Sequence, residues 1–110
     1  MDQDGELIFL GTGTSQGIPV IGCECEVCRS EDPRDKRSRS SVHFAFNGLG
    51  IQIDTGPDFR TQMLREELHQ VDAVLFTHEH QDHIAGLDDV RPMIFRTKKA
   101  MPLFGQKRVI

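Results

Sequence analysis

Three histidines and one aspartate fall within six residues, immediately after a short apolar run. The run covers residues 73–76, and the next seven residues read Thr-His-Glu-His-Gln-Asp-His. Consecutive apolar residues of this kind predict a buried strand, which delivers the polar cluster at its C-terminal end. The fold must therefore gather several imidazole and carboxylate groups at one edge of a sheet, and this requirement constrains it more than any other feature.

The spacing within this cluster is typical of a metal centre. Side chains two residues apart in an extended loop point to the same side, so His78 and His80 can bind one ion together. Asp82 and His83 lie further along the loop and can face a second ion. Imidazole nitrogen with carboxylate oxygen suits Zn, Mn, Fe or Ni. Any single histidine could instead be solvated or hydrogen-bonded in the core, but the cluster as a whole favours metal binding.

A second cluster, of cysteines, lies in a long segment without regular periodicity. Cys23, Cys25 and Cys28 fall within residues 15–40, which are rich in Gly, Pro and charge. Three thiolates and a fourth ligand would form a closed tetrahedral zinc site that orders this loop. A redox pair, or small buried residues without a special role, are the alternatives. An odd, tight group argues against a disulfide framework, so we expect a reducing, cytoplasmic location.

Alternating and apolar runs predict the remaining strands. Val42, Phe44 and Phe46 alternate with small or polar residues, which predicts a strand whose buried face carries these three side chains. Asn47-Gly48 is typical of a hairpin turn. Further strands are predicted at residues 6–10, 51–53 and 102–104.

Two helices are predicted between these strands. Asp58 is a candidate N-cap for a helix that runs to about Leu68. Residues 87–95 predict a short second helix that Pro92 starts or interrupts. This order of strands and helices indicates a mixed α/β layered fold.

Composition and charge exclude several functional classes. The chain has 110 residues, enough for one small domain, and a formal net charge of −4. The acidity argues against nucleic acid as a partner, and the absence of Trp and Tyr leaves few groups that could stack on bases. No apolar run approaches the roughly 20 residues that span a membrane. One basic run, at residues 34–39, could guide a phosphate, or could be a solvated face.

The pattern His78-x-His80-x-Asp82-His83 resembles the metal motif of the metallo-β-lactamase superfamily. The resemblance implies an αββα sandwich and a hydrolytic centre with two divalent ions, Zn or Mn. It implies that these four residues bind the ions, and that Asp82 and His83 act most directly in catalysis. Asp54 matches an aspartate that braces the metal loop through hydrogen bonds rather than binding metal. From the residues alone, a turn-forming role for Asp54 is an equal alternative.

Further segments resemble the PhnP-type cyclic-phosphate phosphodiesterases of this superfamily. These are Gly11-Thr12-Gly13, the cysteine cluster, and residues 86–92 after the metal loop. The resemblance implies a small cyclic phosphodiester as substrate, and a structural zinc held by the cysteines with a histidine from near the C-terminus. The alternatives are a tRNA 3′-processing nuclease, a protein of the pyrroloquinoline quinone synthesis protein B type, or a non-catalytic zinc-binding module.

One departure from the superfamily pattern shapes the expected domain organisation. Complete members have a second half that supplies further histidine and aspartate ligands, and no histidine follows His83 here. We therefore expect residues 1–110 to form the N-terminal half of the domain, with the C-terminal half absent. We also expect little activity from the isolated chain. Its uncovered apolar sheet would favour a homodimer or self-association.

Overall fold

A computed structural model describes residues 5–108, so both ends of the expected 1–110 domain lie outside the described residues. The strands form one five-stranded sheet, with helices in the connections. The strands are β1 (Gly5–Gly11), β2 (Ser41–Phe46), β3 (Leu49–Ile53), β4 (Ala73–Leu75) and β5 (Leu103–Phe104). The α-helices are α1 (Phe59–Arg65), α2 (Gln81–Ile84) and α3 (Arg91–Thr97), with 3₁₀ helices at Pro33–Asp35 and Leu87–Val90.

The sheet is mixed, and its strands follow one another in sequence order. Strands β1, β2 and β3 are antiparallel neighbours, whereas β3, β4 and β5 are parallel. The register places the C-terminal ends of β1, β3 and β4 and the N-terminal end of β2 at one edge of the sheet. The α/β class predicted from the sequence is confirmed.

The helices cover one face of the sheet and form the core with it. Leu10 and Val74 project from this face and are 1% and 0% exposed. They pack with Phe59 and Met63 of α1 and with Met93 of α3. No helix within residues 5–108 has the length and apolarity that crossing a bilayer requires.

The prediction that Val42, Phe44 and Phe46 form the buried face of β2 is wrong. The helices instead cover the side that carries Ser41 and His43, which are 4% and 2% exposed. These polar groups tolerate burial because they are hydrogen-bonded: Gln52 Oε1 lies 3.0 Å from His43 Nδ1, and Gln52 Nε2 donates to Ser41 Oγ at 2.7 Å. The apolar side chains therefore lie on the opposite, largely open face. The most exposed of them are Leu7, Phe9, Phe46, Leu49, Leu75 and Phe104.

The hairpin and helix predictions have different outcomes. Asn47 and Gly48 have φ of 54° and 82° and join β2 to β3, as predicted. The first helix ends at Arg65 rather than near Leu68. Asp58 precedes this helix, but its side chain does not cap it, because Asp58 Oδ2 accepts from the backbone N–H of Arg39 at 2.9 Å. The predicted strand at residues 102–104 is present as β5.

Candidate metal centre

The parallel pair β3 and β4 builds the candidate centre at the shared edge of the sheet. Asp54 directly follows β3, and Thr77 comes two residues after β4 ends. The backbone N–H of Asp54 donates to the carbonyl of Leu75 at 2.8 Å, so the two strand ends are joined beyond the last paired residues. Parallel strands present their carboxyl ends side by side, which brings residues 23 apart in sequence into contact.

Asp54 is the hub of this edge and is 4% exposed. Its Oδ1 accepts from the backbone N–H of Thr77 at 2.8 Å. Its Oδ2 accepts from the Thr77 hydroxyl and from His83 Nδ1, both at 2.6 Å. Such charge-assisted bonds are short and strong, and here they fix the start and the end of the histidine loop together.

The hydrogen bonds of Asp54 also determine which ring nitrogens are free. The one hydroxyl proton of Thr77 goes to Asp54, so the Thr77 oxygen accepts from His78 Nδ1, which lies 2.9 Å away. His83 Nδ1 likewise donates to the Asp54 carboxylate. In the neutral rings of His78 and His83, the lone pair therefore lies on Nε2.

The structure brings the four predicted loop residues close to one another in pairs. The ring centroids of His78 and His83 are 4.0 Å apart, and those of His78 and His80 are 4.5 Å apart. His83 Nε2 lies 3.0 Å from Asp82 Oδ2. Since both atoms are acceptors when His83 is neutral, this approach needs either a second proton on the ring or a cation shared between them.

The distance between His83 Nε2 and Asp82 Oδ2 can be compared with the spacing of two ligands of one metal ion. Zinc bonds to imidazole nitrogen and carboxylate oxygen at about 2.0–2.2 Å, so neighbouring ligand atoms of one ion lie roughly 3 Å apart. The 3.0 Å between His83 Nε2 and Asp82 Oδ2 matches that spacing. This one pair therefore has the spacing of two ligands of a divalent cation, whereas among the described residues only the cysteine trio brings three or more ligand atoms within 4.8 Å of one another.

Two glycines let the loop dock onto the turn after β3. A Cβ on Gly56 would collide with the carbonyl oxygen of Asp82, and one on Gly86 would collide with that of Gly56. The backbone N–H of Thr55 donates to the His83 carbonyl, and that of Gly86 donates to the Thr55 carbonyl, both at 2.8 Å. The sequence did not predict this docking role. Gly56 and Gly86 each indicate a turn, but not which segment of the chain packs against that turn.

The three cysteines form a second candidate site in the loop between β1 and β2. One ligand atom from each of Cys23, Cys25 and Cys28 lies within 4.8 Å of the others, and no further His, Asp or Glu of the described chain joins the group. The backbone N–H of Cys28, and then the side chains of Cys23 and Cys28, lower the pKa of Cys25 to about 7. A thiol that ionises near neutral pH is ready to bind a cation. The trio could therefore hold a zinc ion.

Comparison with known proteins identifies the family to which this chain belongs. Residues 50–110 match the family model described as "Beta-lactamase superfamily domain". A solved structure, described as a new diphosphatase from the PhnP family, superposes with a TM-score of 0.91 and 49% sequence identity. The match covers 96% of this chain and 43% of that one.

Two curated relatives extend the comparison. An octanoyltransferase of Porphyromonas gingivalis is 50% identical over 95 residues, which are 86% of this chain and 19% of that protein. The coenzyme PQQ synthesis protein B of Methylobacterium radiotolerans is 30% identical over 118 residues, covering 94% of this chain and 38% of that protein. The chain thus spans less than half the length of each of these three proteins. It belongs to the beta-lactamase superfamily domain family, within the metallo-β-lactamase superfamily.

Proposed function

We propose that this chain forms the metal-binding part of a metal-dependent hydrolase that cleaves a phosphodiester, with a small cyclic phosphate as the favoured substrate. The observation that carries the proposal is the proximity of three imidazole rings and a carboxylate at one sheet edge. The similarity to a diphosphatase favours a second candidate, the hydrolysis of a diphosphate bond. Both reactions attack phosphorus and use the same donor set.

Each loop residue has a defined task in this proposal. His78 and His80 hold one ion, and Asp82 and His83 hold the other. Bound divalent ions would polarise a phosphoryl oxygen and lower the pKa of a water molecule, so that a nucleophile is available near neutral pH. Asp82 and His83 are the catalytic residues that we propose.

Asp54 acts through the ligands rather than on the substrate. Its carboxylate holds the proton of His83 on Nδ1 and so keeps Nε2 available for metal. Through Thr77 it also orients the ring of His78.

The cysteine trio has a structural task in the same proposal. We propose one zinc ion bound by Cys23, Cys25 and Cys28, with a fourth ligand from outside this group. A rival function, suggested by the similarity to coenzyme PQQ synthesis protein B, is a role in cofactor synthesis. A non-catalytic zinc-binding module is the other rival, in which the cysteines would matter and the histidines would not.

Replacing His80 with alanine in the full natural chain tests the proposal. We expect loss of about one metal ion per chain and a fall of about 100-fold or more in hydrolysis of bis(p-nitrophenyl) phosphate. His69→Ala is the matched control, because His69 is exposed and precedes β4 in the sequence, whereas the loop follows β4. Equal activity in His80→Ala and the parent protein would refute a catalytic metal centre. It would favour the hypothesis of a non-catalytic zinc-binding module.

A further inference from the structure

An open cleft lies at the end of the sheet opposite the histidine edge, on the face that the helices cover. It has a volume of about 680 Å³, which is the size of a small-molecule site. One wall is the β2–β3 hairpin with the start of β1, and the other is the segment at 67–70 that follows α1. Glu6 and Glu67 line the cleft, and no lysine or arginine within residues 5–108 lines it. The cleft is therefore acidic.

Hydrogen bonds fix the two walls against each other. The backbone N–H of Gly50 donates to Asp72 Oδ2, and that of Asp72 donates to the Gly50 carbonyl, both at 2.7 Å. Gln70 Nε2 donates to the Gly48 carbonyl at 2.8 Å. A Cβ on Gly50 would collide with the carbonyl oxygen of Gln70, so only glycine permits this approach. The fold therefore forms the cleft before any ligand binds.

His43 lines the cleft, and its hydrogen bonds determine where its proton lies. Gln52 Nε2 donates to Ser41 Oγ at 2.7 Å and to the Asp54 carbonyl at 2.8 Å. This leaves Gln52 Oε1 as the acceptor that faces His43 Nδ1 at 3.0 Å. Nδ1 therefore carries the proton of the neutral ring, and Nε2 carries a lone pair.

The Nε2 atom of His43 faces the cleft without a partner. His43 is 2% exposed, and no group of residues 5–108 forms a hydrogen bond with its Nε2. In the same part of the chain, the side-chain atoms that are both fully enclosed and unpartnered are Thr55 Oγ1 and Gln62 Oε1. The His43 Nε2 atom is therefore not enclosed by protein but open to the cleft. A buried acceptor without a partner indicates a place for a hydrogen-bond donor from a ligand.

Glu67 breaks two local preferences at the mouth of α1. Its φ of 54° lies in the left-handed region, where glycine is the usual residue at the end of a helix. Its backbone N–H donates to the Leu64 carbonyl, and that of Leu68 donates to the Met63 carbonyl, which closes the helix. An acidic side chain is also disfavoured here, because the helix dipole is negative at its C-terminal end. Such strain persists where the side chain has a task.

The two carboxylates of the cleft have no cationic partner of their own. Among the described residues, no Lys, Arg or His nitrogen lies within 4.0 Å of the carboxylate of Glu6 or Glu67. No three His, Cys, Asp or Glu side chains of the described cleft bring ligand atoms within 4.8 Å of one another, so it is not built for a single metal ion. Apolar side chains line it as well, namely Ala45, Leu49 and Leu68. Separated acceptors and apolar surface suit an elongated organic cation.

We propose that this cleft binds a small aliphatic diamine. Its two ammonium groups pair with Glu6 and Glu67, and one of them donates to His43 Nε2. Its methylene groups lie on the apolar side chains, which removes their surface from water. Two positive charges neutralise the two carboxylates. The site is independent of the proposed function, because it lies at the other end of the sheet from the histidine edge.

The first experiment measures diamine binding by calorimetry. The full natural chain, with its metals in place, is titrated at pH 7 with 1,4-diaminobutane, whose amines are then protonated and do not bind metal. We expect one diamine per chain, and Glu67→Gln should weaken binding about tenfold, the value of one charge-assisted contact. Glu66→Gln is the matched control, since it makes the same charge change one residue away. Glu66 pairs with Arg65 at 2.7 Å. No binding to the parent, or equal losses in both variants, would overturn the proposal.

The second experiment tests whether charge and shape are both read. Butane-1,4-diol has the same carbon chain without charge, and we expect it to bind at least about tenfold more weakly than the diamine. Magnesium chloride is titrated at the same ionic strength. If magnesium binds as tightly as the diamine and with the same dependence on Glu67, the cleft is a general cation-binding patch and the diamine inference is wrong.

The third experiment uses the strain at Glu67. Glu67→Gly should raise the Tm of the ligand-free protein by about 2–4 °C, because glycine adopts this conformation without strain. It should also remove most of the stabilisation that saturating diamine gives the parent. Glu67→Gln keeps the strain and should not show the same rise. An unchanged or lower Tm in Glu67→Gly would contradict the view that Glu67 is retained at a cost in stability.

The fourth experiment locates the bound diamine. In nitrogen-15 spectra of the histidine rings, we expect the Nε2 resonance of His43 to move when 1,4-diaminobutane is added, because Nε2 then accepts a hydrogen bond. The rings of His78, His80 and His83 should not move, since they lie at the opposite end of the sheet. Movement of these three rings without movement of His43 would place the diamine at the histidine edge and refute the inference.

Discussion

The histidine edge and the cysteine loop are both candidate metal sites, but the protein builds them differently. The histidine edge is organised around a buried carboxylate, Asp54, which accepts three hydrogen bonds of 2.6–2.8 Å. The cysteine loop has exposed thiols at Cys23 and Cys25 and only N–H···S contacts of 3.4 Å, from Val20 and Cys28. The side chains of the first site are positioned by short hydrogen bonds, whereas the thiols of the second accept only long ones.

This difference predicts what each ion contributes. At the histidine edge, strand pairing and Asp54 orient the ligands in advance, so a bound ion adds chemistry to a site that already has its shape. In the cysteine loop, a bound ion would add bonds among thiols that otherwise have only long contacts, so its binding free energy would contribute to folding free energy. Removal of metal should therefore disturb the structure of the cysteine loop more than that of the histidine edge. Removal of a protein contact should disturb the histidine edge more.

The largest effect is expected in the cysteine loop. Cys28→Ser should abolish zinc binding there and speed tryptic cleavage within residues 15–40, because the loop loses its main cross-link. Zinc per chain and the cleavage rate are the measurements. Val27→Ser is the matched control, as Val27 is an exposed, non-ligating neighbour. Unchanged zinc content in Cys28→Ser would refute a structural zinc at the trio.

The next largest effect is expected at the histidine edge. Asp54→Asn keeps the shape of the side chain but removes one acceptor oxygen, so the amide cannot receive all three donors. We expect metal affinity at the edge to fall about 10- to 100-fold, while zinc at the cysteines is retained. A chelator competition titration measures both. Asp72→Asn, which disturbs a hydrogen bond to Gly50 at the far end of β3, is the control.

The sequence predicted most of the elements because their signals are local. The alternation in β2, the Asn47-Gly48 turn and the apolar run before Thr77 each depend on a few neighbouring residues. The convergence of His78, His80, Asp82 and His83 was also predictable, since four ligand-type side chains in six residues have few ways to separate. Their roles as ligands stay predictions.

What the sequence could not reveal depends on contacts between distant segments. Periodicity separates two faces of β2 but does not say which one the helices cover. The helices cover the more polar face, because Ser41 and His43 are hydrogen-bonded there and tolerate burial. Asp58 is of a residue type that favours the N-cap position, yet its carboxylate accepts a hydrogen bond from Arg39, which lies 19 residues away in sequence. A local pattern cannot weigh a competitor that only the fold brings close.

A pair of glycine variants sharpens the regional comparison. Gly56→Ala forces a methyl group against the Asp82 carbonyl, and we expect a loss of about 1–3 kcal/mol in the free energy of unfolding, with weaker metal binding at the edge. Gly22→Ala meets no atom within 4 Å and carries only the strain of its φ of +80°, about 1 kcal/mol. Urea titration measures both. A larger loss in Gly22→Ala would contradict the view that the histidine edge is the tightly packed region.

The smallest expected effect is in the reactivity of the metal-free cysteine loop. The backbone N–H of Cys28 is the main cause that lowers the pKa of Cys25 from 9.0 to about 7, so in the folded chain the thiolate is populated above about pH 7 and lost below it. At pH 7 about half of Cys25 would be ionised, against about one in a hundred for a thiol with a pKa of 9.0. Because a more acidic thiol is less nucleophilic, iodoacetamide should react only about fivefold faster in the folded than in the urea-unfolded chain. Peptide mapping by mass spectrometry measures this ratio, and equal rates would mean that the loop organises its thiols only when metal is bound.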